Sequence, residues 1–120
     1  MNEFQNRLSI WKALSEFYLD TELVEEDYNS IFQILKASEK SLKALKEIDL
    51  YEVFPTLQKI LHSVAGEWQG FDENWLVREC QKNYHRRNNI LFRIITKVRN
   101  KNIYWMREKH WKEIERRFEN

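Results

Sequence analysis

The chain has 120 residues, of which 42% are hydrophobic and 32% charged, and its formal net charge is +1. This composition is typical of a globular domain and excludes a disordered tail. No apolar run approaches the roughly 20 residues that a membrane-spanning helix needs, and the charged N-terminus lacks the apolar core of a secretory signal. With Cys80 as its one cysteine the chain forms no internal disulfide. We therefore expect one cytoplasmic domain, residues 1–120, that has no membrane partner.

Glycine and proline are almost absent, since the chain has two glycines and one proline. Because these residues interrupt helices, their rarity favours long helices. We predict an all-α fold, a single compact bundle of six or seven helices. The first helix is expected from about Glu3 to Leu19 and the second from about Val24 to Ala37. A polar break at residues 20–22 separates them.

Capping residues mark the ends of the following helices. Ser41 is the predicted N-cap of a third, shorter helix, and Pro55 suits the first turn of a fourth. Gly66 stands where a glycine closes the last turn of a helix, and Gly70 lets the chain turn. Asp72 is the predicted N-cap of the next helix.

The C-terminal part is predicted to be helical, with weak points at residues 83–89 and 100–102, where polar side chains interrupt the apolar rhythm. A last helix carries Trp111, Ile114 and Phe118. Between the weak points an apolar stripe recurs at helical spacing, and the basic residues opposite it are interpreted as the solvated face. The stripe consists of Ile90, Leu91, Ile94, Ile95 and Val98.

The sequence contains few of the residue patterns that indicate a catalytic site. No serine stands on an exposed glycine-rich turn, and the chain contains neither an HExxH zinc pattern nor a phosphate-binding glycine loop. Cys80 is predicted to be a buried, inert thiol within a helix. We expect no enzymatic activity, no metal and no cofactor.

One catalytic pattern remains as the alternative. Arg78 and His85 are seven residues apart, two turns along one helix face, which resembles the Arg and His of all-helical ribonucleases of the HEPN superfamily. There the His shuttles a proton and the Arg stabilises phosphate charge. Glu79 departs from that pattern because its charge repels phosphate. Together with Arg86 and Arg87, the same segment also suits direct binding of RNA.

Charge is distributed unevenly along the chain. Residues 1–75 contain 7 Lys and Arg against 14 Asp and Glu, whereas residues 76–120 contain 13 against 5. The two halves either neutralise each other by packing or present surfaces of opposite sign to partners.

The excess of carboxylates is the feature from which we predict a partner-binding surface. Carboxylates on a rigid helical scaffold can occupy a basic site on another protein. The neighbouring Trp68 and Phe71 are candidates for the aromatic anchors that interfaces favour, with the alternative that Trp68 plugs the end of the bundle. The predicted contact residues are Glu16, Asp20, Glu22, Glu25, Glu26, Glu67, Trp68, Phe71 and Asp72.

Two segments carry a family resemblance. WKALSEFYLDTEL (residues 11–23) and YEVFPTLQKILHSVAGEWQGFDENWL (residues 51–76) resemble a family of small all-helical bacterial proteins with LDTE and EVxPxL…AGEWxGFD motifs. Proteins of this size and all-helical character resemble the immunity partners of bacterial toxins, including those of contact-dependent growth inhibition systems. The resemblance implies a cytoplasmic protein that binds one cognate toxin domain and blocks its active site or substrate groove. A nuclease toxin has a cationic cleft, which an acidic surface would complement.

Overall fold

The computed structural model describes residues 2–19, 22–61 and 72–119, and for residues 59–61 it describes the backbone alone. The described part of the chain is helical and contains no strand, so the predicted all-α bundle is confirmed. A 3-10 turn (Glu16–Tyr18) and a π-helical segment (Asp49–Val53) join some of its α-helices. The α-helices are α1 (Glu3–Ser15), α2 (Glu25–Ala37), α3 (Leu42–Ile48), α4 (Phe54–Leu61), α5 (Glu73–His85), α6 (Ile90–Ile103) and α7 (Trp105–Glu119).

Side-chain caps start several of these helices. Ser41 Oγ accepts a hydrogen bond from the backbone N–H of Ala44 at 3.1 Å, and Asp72 Oδ2 accepts one from Trp75 at 3.1 Å, as predicted. Asn2 and Asn89 cap α1 and α6 in the same way. Each cap satisfies a donor that the first turn of a helix leaves without an intrahelical partner.

The boundaries of the first two helices differ slightly from the predicted ones. The α-helical part of the first helix ends at Ser15 instead of continuing to Leu19, and the tighter 3-10 turn follows it. The second helix begins at Glu25, and the Asp27 carboxylate accepts the backbone N–H of Val24 at 2.9 Å. Asp20, Thr21, Gly66 and Gly70, on which the predicted break and turn depend, lie outside the described residues.

The predicted third and fourth helices form one uninterrupted helical run. The π-helical segment links α3 directly to α4, and Pro55 lies in the first turn of α4 as predicted. This segment packs against α1, α5 and α6 as well as its two neighbours in sequence. Because it is surrounded by helices, Asp49, Tyr51, Glu52 and Val53 are all buried.

Apolar residues from most of the helices form one core. Cys80 belongs to it, and burial raises the pKa of its thiol to about 12, which confirms the predicted buried thiol. The largest fully buried apolar side chains are Trp11, Trp111, Tyr18, Phe54, Ile10, Leu14, Leu35, Leu45, Leu57, Leu76 and Ile114.

Asp49 is a carboxylate buried at the centre of this core, with 1% of its surface exposed. It accepts hydrogen bonds from Tyr18 Oη at 2.5 Å, from Arg107 Nε and Nη2 at 3.2 and 3.1 Å, and from Trp111 Nε1 at 3.1 Å. Burial raises the pKa of Tyr18 well above its usual value, so its hydroxyl remains a donor. A buried charge is tolerated when it is paired and fully hydrogen-bonded, and Asp49 meets both conditions.

Glu52, one turn later, is held by an equivalent set of donors. Its carboxylate accepts Arg7 Nε and Nη2 at 2.9 and 3.1 Å and Trp11 Nε1 at 2.8 Å. Its backbone carbonyl accepts the side-chain amide of Asn83 at 2.9 Å, which attaches α5 to the same turn. In both sets the Arg precedes the Trp by four residues, which places the two donors on one helix face. The pairs Arg7–Trp11 and Arg107–Trp111 therefore bind α1 and α7 to the π-helical segment.

We predict that Asp49→Ala lowers the free energy of unfolding by about 3–5 kcal/mol, because it leaves the Arg107 guanidinium buried without its counter-ion. Urea unfolding followed by circular dichroism measures the change. Glu108→Ala is the matched control, since it removes an exposed ion pair with Lys112 and is expected to cost about 0.5 kcal/mol or less. Equal losses in the two variants would contradict the assignment of Asp49 as a central buried acceptor.

Candidate functional site

Five of the nine predicted contact residues lie in the described part of the chain, and two of these five have structural roles. Glu25 binds Arg117 Nη2 through both carboxylate oxygens, at 2.5 and 2.9 Å, and so ties the start of α2 to α7. Asp72 is occupied as the N-cap of α5. The other four predicted residues, Asp20, Glu67, Trp68 and Phe71, lie outside the described residues.

The remaining predicted carboxylates, Glu16, Glu22 and Glu26, are exposed. Within the described ranges none of the three forms an ion pair. Glu16 lines a cavity of about 380 Å³ together with Asp27 and other residues of α1, α2 and α5. Partial burial, and then the nearby charge of Asp27, raise the pKa of Glu16. These carboxylates are therefore available to a basic partner.

The four residues of the ribonuclease alternative lie on α5 and in the turn that follows it. Arg78 and His85 are exposed on α5, and His85 lines a cavity with Glu3 and Arg7 that Arg78 does not line. Arg86 donates to Asn83 Oδ1 at 3.1 and 2.6 Å and lies over the Phe92 ring. Arg87 lies 3.9 Å from the centre of the Tyr84 ring.

The apolar stripe of α6 faces outward, which is the main difference from the sequence-based interpretation. Residues Ile90, Leu91, Ile94 and Val98 are 75%, 67%, 55% and 61% exposed. The inward side of α6 buries Thr96 instead. Lys97, Arg99 and Lys101 are exposed, as expected of a solvated face, whereas Arg107 is buried. The apolar stripe of α6 is thus exposed together with these basic residues and does not pack into the core.

Trp105, the first residue of α7, is also exposed, to 70%, and lies seven residues after Val98. We define the outer α6 face as the exposed stripe itself, which consists of Ile90, Leu91, Ile94, Ile95 and Val98. A contiguous exposed apolar surface of this kind is uncommon on a monomeric protein and marks a contact surface. Helical periodicity predicted the stripe but not its direction, because which side of a helix packs depends on its neighbours.

None of the described helices is long and apolar enough to cross a membrane. In the same residues, no group of three or more His, Cys, Asp or Glu side chains is placed to hold a metal ion.

His110 occupies a partly buried position between α7, α2 and the 3-10 turn. Its Nδ1 lies 2.8 Å from Tyr28 Oη, and its ring stacks on Phe17 with the ring centres 5.2 Å apart. Burial lowers the pKa of His110, and the positive charges of Lys109 and Arg107 lower it further. The folded state therefore favours the neutral imidazole.

We predict that His110 makes stability depend on pH below about 6.5, the ordinary pKa of histidine. As pH falls through this value the unfolded chain binds a proton that the folded chain does not, so the free energy of unfolding decreases. The decrease stops once the pH reaches the lower pKa of the folded state. Urea unfolding at a series of pH values from about 7.5 to 5.5 measures it, above the range where carboxylates dominate.

His110→Phe is expected to flatten this pH dependence, while His85→Gln, which replaces an exposed histidine, serves as the control. If His110→Phe kept the full decrease, the coupling of His110 to folding would be refuted.

Comparison with known proteins supplies a family but no activity. A protein family described as a domain of unknown function (DUF7079) matches residues 5–117 of the chain. No curated protein and no solved structure matches it.

Proposed function

We propose that this chain, which belongs to the DUF7079 family, is a non-enzymatic, cytoplasmic immunity protein that neutralises a cognate bacterial toxin by binding it. The toxin is a nuclease in the most concrete form of this proposal. The observation that carries the binding function is the outer α6 face. The family resemblance of residues 11–23 and 51–76 supplies the class of partner.

The outer α6 face is suited to a protein partner by its shape and composition. Ile90, Ile94 and Val98 follow one another at intervals of four residues, so their side chains form one ridge along the helix. Burying exposed aliphatic side chains is favourable by roughly 1.5–3 kcal/mol each when the burial is complete. A helix that presents such a ridge binds in an apolar groove of its partner, which is a common mode of recognition.

The exposed carboxylates Glu16, Glu22 and Glu26 contribute in a different way. Charges at the margin of an interface increase the rate of association more than they increase the final affinity. A nuclease has a cationic substrate cleft, and these carboxylates would attract it. We assign them to steering and the outer α6 face to the stability of the complex.

The contacts of Arg86 favour this proposal over the ribonuclease alternative. Its guanidinium lies over the Phe92 ring and donates two hydrogen bonds to Asn83 Oδ1 of the chain's own fold. Salt-dependent retention of RNA that does not require a 5′-phosphate and is lost in an Arg86→Ala/Arg87→Ala double variant would support the alternative instead.

We predict that Ile94→Asp weakens binding to the toxin domain encoded by the gene immediately upstream by about 100-fold, because it places a charge in the centre of an apolar interface. Binding is measured by surface plasmon resonance, with inhibition of the toxin's nuclease activity as the second readout. Gln33→Asp is the matched control, because it adds the same charge at an exposed position of α2.

A Glu16→Gln/Glu26→Gln variant tests the steering role of the carboxylates. It is expected to slow association several-fold at low salt and to leave dissociation nearly unchanged. If this variant abolished binding while Ile94→Asp did not, the interface would be acidic and the assignment to α6 would be wrong. If the unaltered protein neither bound nor inhibited the toxin domain, the immunity function itself would be refuted.

A further inference from the structure

A second, separate cavity lies among α1, the α3–π run and the turn between α5 and α6. Its volume is about 180 Å³, and four cationic side chains line it against two carboxylates. The cations are Arg7, Lys40, Arg87 and Arg93, and the carboxylates are Glu47 and Glu52.

Aromatic rings fix the positions of the arginines around this cavity. Arg93 lies 3.9 Å from the centre of the Tyr51 ring, and Arg87 lies at the same distance from Tyr84. Arg87 Nη1 donates to the carbonyl of Tyr84 at 2.7 Å, and Arg93 Nη1 donates to the carbonyl of Arg87 at 2.9 Å. The guanidinium groups are therefore oriented in advance, which lowers the entropic cost of binding a ligand.

The four cations differ in whether carboxylates of the described residues neutralise them. Arg7 forms ion pairs with Glu52 and Glu3, and Lys40 Nζ lies 3.1 Å from Glu3 Oε1. Arg93 has only a long contact of 3.6 Å with the exposed Glu47. Arg87 has no ion pair within the described residues, although it lines the cavity. Positive charge thus remains for an external anion.

We propose that this cavity binds a phosphate group, with Arg87 and Arg93 as the principal donors. Guanidinium groups form strong, charge-assisted hydrogen bonds with phosphate oxygens, and a phosphate monoester supplies two negative charges to two arginines. Asn88 at the rim of the cavity provides a further polar side chain. The size of the cavity suits a phosphate with a small substituent, and the inference is independent of the toxin-binding function.

Titration with inorganic phosphate tests the proposal. Binding is detected by thermal unfolding and by ³¹P NMR, with sodium chloride keeping the ionic strength constant. A ligand that binds the folded state raises the melting temperature in a saturable manner. Arg87→Ala and Arg93→Ala are each expected to bind phosphate about ten-fold to a hundred-fold more weakly. Arg99→Ala is the control, because Arg99 is an exposed cation of α6 that does not line this cavity.

Asn88→Asp provides a second test that does not disturb the stacked arginines. It places a negative charge at the exposed rim and is expected to abolish the phosphate-dependent stabilisation without changing the fold. Absence of saturable stabilisation in the unaltered protein would overturn the proposal, as would an equal loss in Arg99→Ala.

The source of the phosphate is distinguished by comparing three probes: inorganic phosphate, a nucleoside monophosphate and a short single-stranded RNA with or without a 5′-phosphate. Binding of the first two with a preference for 5′-phosphorylated RNA indicates a pocket for a terminal phosphate. If both RNAs bound equally and Arg87→Ala did not change their binding, the proposed phosphate site would be overturned in favour of a general attraction to the nucleic-acid backbone.

Discussion

The burial of two carboxylates one turn apart, Asp49 and Glu52, is the constraint on which the rest of the structure depends. Neither charge is tolerable inside a protein without several donors, and each receives an arginine and a tryptophan indole. Those donors come from opposite ends of the sequence, on α1 and α7. The π-helical segment is consequently the point at which the two ends of the described chain meet.

This arrangement explains why α6 exposes its apolar side. α6 packs against the π-helical segment beside α1 and α5, and it does so through its polar side. Arg93 lies over the Tyr51 ring, Asn100 accepts a hydrogen bond from Arg107, and Thr96 is buried. The apolar ridge of α6 then remains outside, where it would raise the free energy of an isolated protein in water. A partner that covers the ridge removes this cost, which is why the proposed function rests on it.

Local features of the fold were predictable from the sequence, whereas features that depend on distant residues were not. Ser41, Asp72 and Pro55 act through their own turn of helix, and each was located from its neighbours alone. Glu25 is hydrogen-bonded by Arg117, which is 92 residues away in the sequence. The sequence alone therefore could not distinguish Glu25 from the carboxylates that remain available to a partner. A repeated Arg-x-x-x-Trp spacing, at Arg7 and at Arg107, was the one trace of the buried network in the sequence.

The most direct test of the central claim is hydrogen exchange at the tryptophan indoles, observed by NMR in the native protein. The Nε1–H groups of Trp11 and Trp111 are donated to buried carboxylates, whereas the side chain of Trp105 is exposed. We expect Trp11 and Trp111 to exchange only when the protein unfolds globally, and Trp105 to exchange rapidly. Exchange of Trp11 and Trp111 as fast as that of Trp105 would contradict the buried network.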